Sequence, residues 1–269
     1  MTLKFRELLE NRWSDSGSLL CVGLDPDQSR IPLEYHPHED GIVRFLRDIV
    51  DATAPYACAF KPQIAYFAAI TAECDLLAIC EYIRETYPDI PLILDAKRGD
   101  IGDTAEMYAR EAFDRYGAHA VTVNPYMGGD TIRPFLEHDN GAAIVLCRTS
   151  NAGSGEFQSQ LIDGIPLYQH VAQRAANDWS QYGDVSLVVG ATYPTELAEV
   201  RAIVGDMPLL VPGVGAQGGD PATVVKNGAS THGTGLIVNS SRAILYTDDG
   251  IAGAARVAKE TRDALNAAR

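Results

Sequence analysis

Eight short runs of Val, Ile, Leu and Ala punctuate the chain, each running into glycine, proline, asparagine or a charge near its end. They cover residues 19–25, 56–63, 91–97, 120–126, 142–150, 186–192, 208–215 and 235–241. Their hydrophobicity is continuous rather than alternating, which predicts strands buried on both faces, as in a parallel sheet. Between them the pattern changes to a helical one. In 40–52, Ile42, Phe45, Leu46, Ile49 and Val50 fall at helical spacing behind Asp40, a capping residue type. Residues 103–117 open with Asp103 and Glu106 three apart, the spacing of a capping box, and close at Gly117. Segments 193–205 and 218–228 each carry a proline near the first helical position and end at glycine. After the fifth run, the polar, Gly-rich residues 151–167 precede a helix expected at about 168–182. Such a segment is expected to form a mobile rim loop.

Strand and helix thus alternate eight times with no linker-like segment between them. The expected fold is α/β, a (β/α)8 TIM barrel forming one domain over 1–269. A doubly wound sheet has the same periodicity and is the structural alternative.

Composition narrows the function more than the fold. No apolar run approaches ~18 residues, and the first residues, "MTLKFRELLENRW", are charged and lack a signal-peptide core. A soluble, cytoplasmic protein with no membrane association is expected. A formal charge of −14 argues against a nucleic-acid or anionic-lipid surface, yet admits a small anionic ligand where basic groups are local. Only Lys4, Lys61, Lys97, Lys226 and Lys259 are lysines; this acidic, lysine-poor composition fits high-salt adaptation or GC-rich codon bias. The five cysteines form no CxxC pair and read as reduced, core-packing thiols, and His36-Pro37-His38 has no third metal ligand nearby.

In a barrel, catalytic groups sit just past the C-terminal ends of the strands. Here those positions hold Asp25, Lys61, Asp95, Lys97, Asn124, Arg148 with Ser150, Pro212-Gly213, and Asn239 to Arg242, so two of the five lysines fall in one small set. If Asp95 and Lys97 both keep strand geometry, their side chains share a face ~6.6 Å apart along the strand. The carboxylate would keep the lysine protonated, a cation poised to stabilise or protonate a carbanion. Asp100 lies beyond the Arg98-Gly99 turn and need not face the same way. An ion pair that only stabilises the strand end is the structural alternative. The Gly-rich turn 212–221 and Arg242 follow the seventh and eighth runs, where barrels commonly bind phosphate through backbone N–H groups and arginine. Two tight turns and a surface arginine would read the same way.

Taken together, "DAKRGDIGDT" (95–104), "GLDPD" (23–27), "FKPQ" (60–63), "TSNAG" (149–153), "PGVGAQGGDP" (212–221) and "IVNSSRAI" (237–244) resemble the orotidine 5′-phosphate decarboxylases, which make UMP. The motifs occur in that family's order along the chain, and Arg98-Gly99 with the long segment after Ser150 is similar to the longer-chain branch. The resemblance implies a cofactor-free homodimer with shared active sites, metal-free and acting on orotidine 5′-monophosphate. Asp95 and Lys97 would act in their own subunit's site, while Asp100 and Thr104 would reach into the partner's. Lys61 would join the Asp–Lys–Asp network and, with Asp25, contact the ribose. Ser150 would bond the pyrimidine edge, Gln217 and Arg242 would hold the phosphate, and the loop from Gly213 through Gly215 to Asp220 would close over it. A magnesium-dependent sugar-phosphate decarboxylase or synthase of the same superfamily, a Schiff-base aldolase using Lys61 or Lys97, and a catalytically silent UMP-binding barrel are the rival readings.

Overall fold

A computed structural model describes residues 3–36, 38–139, 141–214 and 218–269. Eight parallel strands form one sheet: β1 (Leu20–Leu24), β2 (Ala59–Pro62), β3 (Ile93–Arg98), β4 (Ala120–Val123), β5 (Ala142–Arg148), β6 (Asp184–Val189), β7 (Leu209–Pro212) and β8 (Leu236–Ser240). Each pairs with its sequence neighbours, and β1 pairs with β8 at Leu20–Val238 and the two following positions. Parallel bridges Phe60–Leu92 and Gln63–Asp95 join β2 to β3 and close the ring. Closure separates this TIM barrel from the doubly wound alternative, whose sheet stays open.

β1, β4 and β8 are buried along their whole lengths, as their unbroken hydrophobicity requires, because helices cover the outside and side chains fill the inside. β3 departs from this pattern: it is buried from Ile93 to Asp95 and then opens. Its register against β4 also shifts, Leu94 to Arg98 on β3 spanning only Val121 to Val123 on β4. Lys97 lies in this bulge, just before pairing resumes at Arg98, with φ +48°. The expected simple continuation of strand geometry from Asp95 to Lys97 is therefore corrected.

A helix over Phe5–Asp15 covers the end of the barrel where the strands begin. Trp13 Nε1–H donates to Leu236 O at 3.0 Å, and Arg12 donates to the carbonyls of Ala54 and Ala57 ahead of β2. The opposite end, where the strands finish, is left for chemistry.

Other expectations change in detail. The helix expected from Asp103 starts at Gly102 with Ile101 as N-cap, so Asp103 lies in its first turn and caps nothing. That helix widens into a π turn over Glu111–Arg115 before Gly117 ends it at φ +61°. Asp40 occupies the N-cap position of Gly41–Thr53, but its carboxylate pairs with Arg44 at 2.7 Å instead of capping. Residues 151–167 carry their own elements, including a hairpin of Leu161–Ile162 with Ile165–Pro166. Asp163 and Gly164 turn it at φ +52° and +80°, the two left-handed positions of a type I′ turn. Cys21, Cys58, Cys80 and Cys147 are buried, whereas Cys74 is exposed. Among the described residues, no helix is long and apolar enough to cross a membrane.

Candidate active site

The strand ends surround a cavity of about 380 Å³ lined by Asp25, Lys61, Tyr66, Asp95, Lys97 and Thr122 on one side. Pro212, Gly213, Val214, Asn239, Ser241 and Arg242 complete the lining, with Val188 and Leu210 beneath. Its charged groups are three cations and two carboxylates, in a chain whose formal charge is −14. Local charge therefore suits an anionic ligand despite the acidic surface.

Asp95 is the centre, 7% exposed. Its Oδ2 accepts from Lys61 Nζ at 3.1 Å, and its Oδ1 from Lys97 Nζ at 2.6 Å and Thr122 Oγ1 at 2.8 Å. Burial alone would raise the Asp95 carboxyl, but the Lys61 and Lys97 ammonium groups beside it, with the bonds from Lys97 and Thr122, hold it well below the usual carboxylate range. Burial would likewise lower Lys61, but the Asp95 and Asp25 carboxylates outweigh that and hold its ammonium above the ordinary lysine range. A negative charge is thus fixed between two cations at neutral pH. Lys61 is 3% exposed, while the Lys97 side chain remains 46% exposed at the cavity.

Asp25 follows β1, where Tyr246 steadies the loop by donating from its hydroxyl to Asp25 O and accepting from Asp27 N–H. Oδ1 of Asp25 and Oδ1 of Asn239 are buried without a hydrogen-bond partner among the described residues. Gly23 permits β1 to approach the end of β8, since a Cβ there would fall on the Ser241 hydroxyl. Arg242 begins the short helix after β8 and lines the same cavity as Gly213 and Val214.

The structure brings together Asp25, Lys61, Asp95, Lys97 and Arg242. It keeps three expected residues outside the lining. Asp100 is partly buried, its Oδ1 accepting from Ile101 N–H; Thr104 is exposed on the following helix; and Ser150 packs against Gly190 beyond β5. Gly215 and Gln217 lie outside the described residues. Arg98 points away from the cavity to a bidentate pair with Glu111, and Arg148 is buried over the Tyr193 ring with Ser154 as partner, so both hold structure. Asn124 is exposed and binds the Tyr126 N–H. The sequence reading missed Tyr66 and Thr122. For Thr122 the only signal was a hydroxyl inside an otherwise apolar strand.

A closed parallel barrel with charged groups converging at its C-terminal mouth defines the chain as a (β/α)8-barrel enzyme. Residues 18–257 match the orotidine 5′-phosphate decarboxylase / HUMPS family, to which the chain belongs. It is 60% identical over 267 residues to the orotidine 5′-phosphate decarboxylase of Janthinobacterium sp. (strain Marseille), with 98% of each chain covered. A solved Leishmania donovani OMP decarboxylase superposes with a TM-score of 0.85 at 38% identity, covering 99% of this chain and 100% of that one. Leishmania donovani UMP synthase gives a TM-score of 0.89 at 41% identity; there the whole of this chain spans 57% of the longer protein.

Proposed function

We propose that this chain, acting as one barrel domain, decarboxylates orotidine 5′-monophosphate to UMP, the last step of de novo pyrimidine nucleotide synthesis, without a cofactor. The observation that carries this reading is Asp95 fixed between two ammonium groups, one of which, Lys97, reaches the cavity. In the reaction the C6–carboxylate bond breaks and its electron pair stays on C6 as a vinyl-type carbanion that the ring cannot delocalise. Lys97 stabilises that charge and gives C6 its proton, leaving a neutral amine that regains a proton from solvent. Asp95, beside the departing carboxylate, raises the energy of the bound substrate relative to the transition state.

Enzymes lower barriers by up to ~23 kcal/mol, more than one lysine supplies, so binding energy from the remote phosphate is also required. Arg242 and Gln217 hold the phosphate while the loop 213–220 closes over it. Asp25 and Lys61 take the ribose hydroxyls, a role supported by the unpartnered Asp25 Oδ1 in the cavity wall. Ser150 bonds the pyrimidine edge. Asp100 and Thr104 complete the Asp–Lys–Asp network of a second subunit. In support, Ile101, Met107, Tyr126 and Met127 are exposed apolar side chains from the same β3 and β4 loops and following helix, a surface suited to a homodimer.

The test is loss of orotidine 5′-monophosphate absorbance after EDTA treatment, comparing wild type with Lys97→Ala. Metal-free conversion to UMP, abolished in the variant, is expected. UMP binding without turnover by folded wild type would replace this reading with a silent barrel. The family also carries the HUMPS name. Turnover only of other phosphorylated substrates with added magnesium would therefore move the chain to its sugar-phosphate relatives.

A further inference from the structure

We propose that Thr122 is a positioning residue whose hydroxyl sets Lys97 against Asp95. Thr122 lies on β4 between Val121 and Val123, directly across from the bulge that occupies β3 between Leu94 and Arg98. It is buried, 1% exposed. Its Oγ1 accepts from the successive N–H groups of Ala96 at 3.0 Å and Lys97 at 2.9 Å, and donates to Asp95 Oδ1 at 2.8 Å.

A hydroxyl has one hydrogen to donate and two lone pairs to accept with. Both lone pairs are spent on the backbone, so the hydrogen has one remaining direction, toward the carboxylate. The side chain therefore replaces the ladder partner that the bulge removes. It holds Lys97 in the left-handed region at φ +48°, a conformation most residues other than glycine avoid. The same oxygen fixes the carboxylate that Lys97 Nζ meets at 2.6 Å. One atom thus sets both members of the pair, the backbone of one and the side chain of the other.

This inference rests on Lys97 as the proton donor, a role in which displacement of about 1 Å costs on the order of 100-fold in rate. Thr122→Val keeps the shape and removes the hydroxyl, while Thr122→Ser keeps the hydroxyl and removes the methyl. Steady-state rates on orotidine 5′-monophosphate and calorimetric UMP affinity separate positioning from ground-state binding. Thr122→Val is expected to lose roughly 10- to 100-fold in kcat with UMP affinity within about twofold of wild type. Thr122→Ser is expected to recover most of kcat. Thr122→Ala serves the same comparison if Thr122→Val does not fold. Wild-type kcat in the hydroxyl-free variant, or equal losses in the serine variant, would overturn the proposal. A crystal structure of the hydroxyl-free variant tests the geometry independently of substrate. Lys97 keeping φ near +48° and its 2.6 Å contact there would refute the positioning role even if wild type proved inactive on this nucleotide.

Discussion

Individual charges decide what this cavity can bind. Arg242 lines it on the side of Gly213 and Val214, apart from the strand-end lysines in sequence. If it holds the phosphate, Arg242→Ala should lower kcat/KM by about 10- to 100-fold through loss of charge-assisted hydrogen bonds. Steady-state assays on the folded variant check this, and a near-wild-type value would remove Arg242 from the phosphate site. Asp25, Lys61, Asp95, Lys97 and Arg242 were legible in the sequence as charges at or just past the ends of apolar runs, a signal that also picked out Arg148, which holds structure instead. Thr122 was not. Threonine is an ordinary strand residue, and only the fold reveals that its hydroxyl faces a carboxylate and two backbone N–H groups.

Elements were legible where local chemistry governs them. All eight strands were, as were helices marked by proline at the start and glycine at the end, such as Pro194–Val204 followed by Gly205. The β3 bulge was hidden because its stabilising partner lies on another strand. The rim hairpin carried a readable signal, Asp-Gly between apolar pairs, masked by the polar residues before it. The other end of the β3–β4 pair has a consequence for stability. His119 N–H donates to Leu92 O, and Leu92 N–H donates back to His119 Nδ1 at 3.0 Å, tying the approach to β4 to that of β3. Burial first, then the Arg84 charge, lowers His119 from 6.5 to about 4. Folded chains therefore keep it neutral in a window where unfolded chains bind a proton, so stability falls as pH drops from 6.5 toward 4. The slope from this residue is up to about 1.4 kcal/mol per pH unit. Urea midpoints at about pH 7.5 and about pH 5 should differ accordingly, and His119→Gln should flatten the difference.

At the scale of the molecule, the barrel gathers one set of charged groups while Asp100 and Thr104 remain outside the cavity. In a two-fold dimer that shares its sites, Lys97→Ala and Asp100→Ala damage different halves of each site. Both variants alone should be inactive. Reassociated in equal amounts, they should recover about a quarter of wild-type activity, because each hybrid has one intact site and half of the dimers are hybrids. Absence of recovery, with hybrids demonstrated by mass, would place Asp100 in its own subunit's site, and an Asp100→Ala variant active by itself would place it in none. Closure of the ring has another consequence, written into the Trp13 bond to Leu236, which links the first helix of the chain to its last strand. On a ribosome adding roughly 5–20 residues per second, β1 emerges ~10–40 s before its second neighbour exists. Throughout that interval the nascent chain carries an open strand edge and an indole with no carbonyl to bond. Synthesis of β8, rather than any earlier stage of translation, is when this barrel can first shelter its own edge from other chains.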